Sequence, residues 1–148
     1  TIAFELANTY LNIGRNAEAV GLLKKTYESA PTFSTARITY AVAAIYTKEF
    51  QTAADLLNPI VDTAVSDERV VKAYYDVKQY DKVLEIWKMR AERTSQDPQV
   101  HVSLAAAYLL NNNRAQSIKE LQKAAELNPA FKEQAEAYIK EIRAGRNP

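Results

Sequence analysis

Residues 27–33 read YESAPTF, and residues 125–131 read AELNPAF. Both stretches contain an acid, two further residues, a proline, one residue and a phenylalanine. The two prolines, Pro31 and Pro129, lie 98 residues apart. A string that returns after a long interval indicates an internal repeat, and an internal repeat decides the fold of a whole chain.

Pairs of small residues recur twelve positions apart along the whole chain. Their second members lie at positions 19, 53, 83 and 117, so the intervals are 34, 30 and 34 residues, which together give the same 98. The chain therefore contains four repeats of about 34 residues, one of them four residues short. The pairs are Ala7 and Ala19, Ala41 and Ala53, Val71 and Val83, and Ala105 and Ser117.

Each repeat divides into two amphipathic helical patterns with a short break between them. In the first repeat the break lies at Gly14–Arg15–Asn16, and in the fourth it is the NNNR stretch at residues 111–114. Small residues let two helices cross closely, and neither helix of such a pair can bury its apolar face alone. The pattern predicts an all-α fold of antiparallel helix pairs.

Proline and capping residues mark where these helices begin and end. Asp97–Pro98 and Asn128–Pro129 each predict an N-cap followed by proline at the first helical position. Ser66 predicts a third N-cap. Pro59 falls inside the second helix of the second repeat, where it removes a backbone hydrogen bond. We expect a break near Asn58–Pro59, of unspecified direction, and a shortened first helix in the third repeat.

At these positions the sequence resembles the tetratricopeptide repeat (TPR) family, whose pattern runs W-x2-L-G-x2-Y, then a small residue, an aromatic residue or Leu, Ala and finally Pro. The pattern's first Trp is absent here, and its place is taken by Ala3, Arg37, Asp67 and His101. The first repeat matches at Leu6, Ala7, Tyr10, Ala19, Leu23 and Pro31, and the fourth at Leu104, Ala105, Tyr108, Ser117, Leu121, Ala124 and Pro129.

The resemblance implies a right-handed superhelix (α-solenoid) of roughly nine helices. It predicts a single TPR-like domain over residues 1–148, with repeats at about 1–33, 34–64, 65–97 and 98–129 and a capping helix at about 130–144. A helical pattern is already present at Phe4, so we expect the chain to be a fragment of a longer protein.

Composition excludes several kinds of chemistry. The formal net charge is +1, which disfavours nucleic-acid binding. The chain has no cysteine and one histidine, His101, so we expect no metal, no cofactor and no enzymatic activity. We expect His101 to pack or to lie on a helix surface, and Trp87 to belong to the core. No apolar run reaches the roughly 18 residues that span a membrane.

In TPR proteins the first helices of successive repeats line a concave groove. Carried over to this chain, the groove is apolar and aromatic in the first two repeats and charged in the third. It suits a partner with apolar anchors and an acid near Arg69 and Lys72; the alternative is that these cations pair with Glu68 and Asp76. A carboxylate clamp of the chaperone-binding kind is disfavoured. The predicted groove residues are Phe4, Asn8, Asn12, Ile38, Thr39, Val42, Tyr46, Arg69, Lys72, Tyr75, Val102 and Ala106.

The sequence therefore predicts a noncatalytic protein–protein interaction module that binds a peptide or helix of a partner in this groove. One alternative is a self-associating assembly scaffold. Another is the soluble TPR region of a larger bacterial envelope protein, such as an O-antigen ligase or polymerase. The identity of the partner and the cellular compartment stay open, although the parent protein of the last alternative would be associated with the cell envelope.

Overall fold

The computed structural model of the chain describes residues 2–30 and 34–148, and Pro31 and Phe33 of the opening motif lie outside them. Within the described residues the secondary structure is helical, with no strand. Three pairs of helices, α1 with α2, α3 with α4 and α8 with α9, are joined by three residues and contact each other, so each pair is antiparallel. The chain is an all-α protein of the α-solenoid class, as predicted, and it divides into two compact units, Thr1–Lys78 and Gln79–Pro148.

The N-terminal unit contains six helical segments. With the interrupted pair α4 and α5 counted as one helix, the whole described chain has nine helices, in line with the prediction. The segments of this unit are α1 (Ile2–Asn12), α2 (Asn16–Ser29), α3 (Ser34–Tyr46), α4 (Phe50–Leu57), α5 (Val61–Ala64) and α6 (Glu68–Asp76).

The C-terminal unit contains four helices, and a cluster of apolar side chains from the last three forms its core. The helices are α7 (Tyr80–Arg93), α8 (Pro98–Leu110), α9 (Arg114–Leu127) and α10 (Lys132–Arg143). The cluster contains Ala105, Leu121, Ile139 and Ile142, and Leu109, Ile118, Phe131 and Tyr138 pack against it.

The small residues that define the repeat lie in the interior of the two units. All eight are buried, with exposed fractions between 0% and 7%. A side chain of one to three carbons lets the facing backbone approach, and the apolar area removed there stabilises the pair. The positions that the repeat identifies in the sequence are thus buried positions in both units.

The middle residue of the three-residue loop inside each helix pair lies in the left-handed backbone region. This residue is Gly14, Lys48, Lys78 or Asn112, with φ values of 77°, 62°, 62° and 58°, and it recurs at the repeat spacing. In three of the loops the next amide donates to the carbonyl five residues earlier, as Glu49 N does to Ala44 O at 2.8 Å. This is the Schellman arrangement that ends a helix. Only Gly14 adopts such a φ without steric strain.

Pro59 interrupts the second repeat as predicted. α4 ends at Leu57, a 3₁₀ turn spans Asn58–Ile60, and α5 follows. The Arg37 Nε donates to the carbonyl oxygen of Leu56 at 2.7 Å, so a side chain from α3 satisfies a backbone acceptor at the break. The first helix of the third repeat, α6, has nine residues, whereas α3 has 13, which confirms the predicted shortening.

Two of the three predicted N-caps are confirmed. The carboxylate of Asp97 accepts from Gln99 N at 2.9 Å, and the side chain of Asn128 accepts from Ala130 N at 3.2 Å. The prediction for Ser66 is wrong, because Asp67 caps α6 by accepting from the amide of Arg69. A carboxylate at this position also interacts favourably with the helix dipole, which an uncharged hydroxyl does not do.

The predicted core tryptophan is half-buried. Trp87 lies on α7, and the guanidinium carbon of Arg90 lies 4.5 Å from the centre of its ring. The cation lies over one face of the ring, an arrangement that contributes about 0.5–1 kcal/mol at an exposed site. Arg90 stands where the TPR pattern has alanine, and its guanidinium stacks on the ring of Trp87.

Candidate binding face

The N-terminal unit brings two of the predicted groove helices into contact. α3 and α6, the first helices of the second and third repeats, pack against each other, and their polar side chains form one surface. We call this surface the α3–α6 face. It comprises Tyr46, Asp67, Arg69, Lys72, Tyr75 and Asp76, and the buried Thr39 is hydrogen-bonded to Arg69.

At one end of the α3–α6 face a carboxylate joins the two helices. The Tyr46 hydroxyl donates to Asp76 Oδ2 at 2.7 Å, and Lys72 Nζ donates to the same oxygen at 2.6 Å. Lys72 and Asp76 lie four residues apart on α6, so they are neighbours on one helix face. The carboxylate is therefore fixed from two directions.

These contacts shift the pKa of all three groups. The hydrogen bond from Lys72, followed by that from Tyr46, holds the pKa of Asp76 below its ordinary value. The same hydrogen bond raises the pKa of Lys72. Burial, and then the bond to Asp76, raises the pKa of Tyr46. Over the neutral range the network is a phenol, an ammonium group and a carboxylate, which is the arrangement that the distances require.

At the other end Arg69 has its own carboxylate. Its Nη2 donates to Asp67 Oδ2 at 2.9 Å and its Nε to Asp67 Oδ1 at 3.1 Å, which makes a two-point ion pair. Its Nη1 donates to the hydroxyl of Thr39 on α3 at 2.9 Å. The guanidinium is thus held in one orientation by both helices, although it lies at the surface.

Both predicted cations are therefore paired inside the unit. Lys72 has the partner that the alternative interpretation named, Asp76, and Arg69 has Asp67. Exposed pairs of this kind stabilise a fold by only about 0–1 kcal/mol, so their main effect here is to fix the positions of polar groups. Beside them Tyr75 is 51% exposed, which makes it the large aromatic side chain most accessible on this face.

Several of the predicted groove residues contribute more to the core than to the surface. Phe4, Ile38, Thr39 and Val42 are buried within the N-terminal unit. α3 is buried nearly all round because it contacts α1, α2, α4 and α6. On α1, Asn8 is half-buried and Asn12 is exposed. Their role in binding stays a prediction, since burial alone does not assign one.

In the C-terminal unit, α8 carries the remaining predicted groove residues. Val102 is half-buried and Ala106 is exposed, and Gln99 and Ser103 on the same helix are also accessible in part. These four side chains are uncharged, and two of them are polar. They include none of the ion pairs that characterise the α3–α6 face.

The single histidine lies in a buried polar cluster that sequence reasoning did not foresee. His101 is 3% exposed; its Nδ1 lies 2.6 Å from Glu120 Oε2 on α9, and its Nε2 lies 2.7 Å from the carbonyl oxygen of Ser95. A carbonyl cannot donate, so Nε2 carries a proton and donates to Ser95. His101 thus takes the place of the TPR tryptophan, as a packed residue, and ties the end of α7 to α8 and α9.

The described residues contain no group of three or more potential ligands that could hold a metal ion. Nor does any helix in the described ranges combine the length and apolar character needed to cross a membrane.

No family model matches the sequence, and no curated protein matches it. Several solved structures share the fold. A crystal structure of MamA superposes with a TM-score of 0.62 at 23% identity, over 88% of this chain and 74% of that one. MamA of Desulfovibrio magneticus RS-1, from residue 41 to the end, gives 0.58 at 19% identity, over 86% and 75%. MamA of MSR-1 gives 0.56 at 18%, over 96% and 93%.

These identities are low, so the likeness establishes the fold alone. MamA is a TPR-like protein, and this chain therefore shares an all-α helical-repeat fold with a TPR-like protein. The closer assignment to the TPR family rests on the residues of the repeat pattern and stays a resemblance.

Proposed function

We propose that the chain is a noncatalytic interaction module that binds a peptide or helix of a partner protein along the first helices of its repeats. The observation that supports this most is the α3–α6 face, where an exposed tyrosine lies beside polar groups that are already held in place. Preorganised donors and a rigid aromatic ring reduce the entropy lost on binding.

The chemistry of this face favours a particular kind of partner segment. Tyr75 supplies a large amphipathic contact area of the kind enriched at binding hot spots. Lys72 and Arg69 each retain N–H groups that their internal partners do not use, because an ammonium group has three and a guanidinium five. These donors are partly neutralised by Asp76 and Asp67, so they suit carbonyl and amide acceptors better than an isolated carboxylate.

A peptide-display selection on the intact chain tests the proposal. The test variant carries Arg69→Ala, Lys72→Ala and Tyr75→Ala, and the control carries Lys24→Ala and Lys25→Ala on α2, a second helix of a repeat. Both changes remove two exposed cations. We expect peptides that enrich on the native chain and on the control and are lost on the test variant. Enrichment that survives the test variant, or no enrichment at all, contradicts the proposal.

A second candidate function, self-association as an assembly scaffold, is favoured by the surface of α1 and its following turn. Ile2, Leu6 and Ile13 are exposed, at 89%, 40% and 62%. They recur at a spacing of four and seven residues, so they share one side. Sedimentation velocity over a range of concentrations tests this function. It predicts a concentration-dependent mass that the Leu6→Ser, Ile13→Ser variant abolishes, and a constant monomer mass excludes it.

A further inference from the structure

The C-terminal unit has a long groove between α9 and α10. The groove has a volume of about 810 Å³, and Ile139 belongs both to its lining and to the apolar core cluster. We call it the α9–α10 groove. Its lining consists of Gln122, Ala125, Glu126 and Pro129 on one side, and Lys132, Ala135, Glu136, Ile139, Lys140 and Arg143 on the other.

The length of this groove and its place between two helices suit a helix. In the N-terminal unit α3 contacts both α1 and α2, so the chain itself covers the space between two consecutive helices with a third helix. The α9–α10 groove is a space between two consecutive helices in the same way. Its α10 side runs from Lys132 to Arg143, which spans eleven residues or about 16 Å at 1.5 Å per residue. Three turns of helix have this length.

The charges along the groove give the occupant its chemistry. Lys132, Lys140 and Arg143 lie along the α10 side, and none of the three makes an ion pair or a side-chain hydrogen bond with another described residue. Arg69 and Lys72 of the α3–α6 face differ, since each already has a carboxylate. With Glu136, the α10 side has a net charge of +2, and the α9 side has a net charge of −1 from Glu126.

The position of Lys132 is not explained by the stability of its own helix. It is the first residue of α10, where the helix dipole disfavours a cation by a few tenths of a kcal/mol or more. Lys140 and Arg143 in the last turn are favoured by the same dipole. An anionic partner along the groove would offset the unfavourable dipole interaction of Lys132 and would pair with Lys140 and Arg143. Between the charges, Ala125, Pro129, Ala135 and Ile139 form an apolar floor, in which Ala135 and Ile139 are buried and Ala125 and Pro129 are the accessible members.

We propose that the α9–α10 groove binds an amphipathic helix of a partner protein, with the apolar stripe of that helix on the floor and its carboxylates toward α10. This site is separate from the α3–α6 face, and it does not rest on the function proposed for that face. The mode of binding is the helix-in-groove mode, in which apolar anchors give affinity and flanking charges fix orientation.

Fluorescence anisotropy with three labelled peptides tests the proposal on the full chain. The first is a 14-residue helical peptide. Its Leu residues alternate at spacings of three and four, so they lie on one face of the helix, and its Glu residues lie along one edge of that face. The second is identical except that Lys replaces each Glu. The third has the sequence of residues 2–13, which represents the exposed apolar side of α1 in a second copy of the chain.

The expected result is that the Glu peptide binds at least ten-fold more tightly than the Lys peptide, and that added salt weakens its binding. Lys140→Glu with Arg143→Glu should weaken the Glu peptide at least ten-fold. The control, Lys119→Glu with Lys123→Glu, reverses two cations of α9 outside the groove and should change it less than two-fold. Lys132→Gln changes the first residue of α10, where the helix dipole disfavours a cation, so this variant should keep the helix folded. It should weaken binding about three-fold.

Three outcomes would overturn the proposal. Equal affinity for the Glu and Lys peptides would mean that the cations do not select the occupant. An unchanged affinity in both the double variant and Lys132→Gln would place the peptide elsewhere. Tighter binding of the 2–13 peptide than of the Glu peptide would assign the groove to a second copy of this chain. Circular dichroism of each variant confirms that the helices are intact.

Discussion

The pair formed by His101 and Glu120 allows a stability prediction in which two substitutions at one position give different results. His101 is buried, the Glu120 side chain is 12% exposed, and both ring nitrogens face acceptors at 2.6 and 2.7 Å. Glu120→Ala removes the partner of Nδ1 and leaves a buried polar atom unsatisfied. Such a loss costs about 1–3 kcal/mol for a neutral group and about 3–5 kcal/mol where a buried charge loses its counter-ion. We expect a loss of about 3 kcal/mol.

Glu120→Gln is the matched control. The glutamine amide can donate to Nδ1 while Nε2–H continues to donate to the Ser95 carbonyl, so both hydrogen bonds persist with a neutral ring. We expect a loss of about 1 kcal/mol or less. For a chain of this length the melting temperature falls by roughly 2–4 °C per kcal/mol, which gives roughly 6–12 °C for Glu120→Ala and at most about 4 °C for Glu120→Gln.

Urea unfolding followed by the fluorescence of Trp87 measures this difference directly as a change in the free energy of unfolding. Trp87 is the single tryptophan of the chain, and it lies on α7, next to the segment that His101 holds. If Glu120→Ala changes the free energy of unfolding by less than about 0.5 kcal/mol, the pair does not hold these helices together. If Glu120→Gln is as damaging as Glu120→Ala, the assignment of the ring protons is incorrect.

Three further changes have expected outcomes that follow from single contacts. Leu23→Ala should lower the free energy of unfolding by about 2–5 kcal/mol in a denaturant titration, because the side chain is fully buried and leaves a cavity. Lys48→Gly should raise it by about 0.5–1 kcal/mol, since φ is 62° there; a loss of stability would show that the lysine side chain contributes more than the strain costs. Asp76, whose pKa is lowered, contributes stability that is present above the ordinary aspartate pKa and is lost as pH falls through the lowered value; a pH series of melting curves should show this step in the native chain, and Asp76→Asn should remove it.

The helical repeat could be predicted from the sequence because the constraint is local and recurs. A helix crossing requires a small side chain at a fixed position in both helices, and the residues at those positions, such as Ala19 and Ser117, are fully buried. The break at Pro59 was predictable for a similar reason, since proline lacks the amide hydrogen at every occurrence. These features depend on residue type and spacing alone.

The polar contacts of the candidate site depend on side-chain orientation, which the spacing of residues does not determine. From the sequence alone, Arg69 could pair with any of several acids on α6 or before it. Its partner is Asp67, because the carboxylate that caps α6 accepts from both the amide and the guanidinium of Arg69. Tyr46 meets Asp76 across 30 residues of sequence, a contact that requires the packing of α3 on α6. The burial of Ile38 and Val42 likewise follows from how many helices surround α3.

Hydrogen–deuterium exchange of the intact chain, with and without a peptide taken from the display selection, tests the central claim most directly. The proposed function predicts that the peptide slows amide exchange in α3 and α6, and that the Tyr75→Ala variant loses this protection while the Lys24→Ala, Lys25→Ala control keeps it. Protection confined to α9 and α10, or to the second helices α2 and α4, would contradict a binding site on the α3–α6 face.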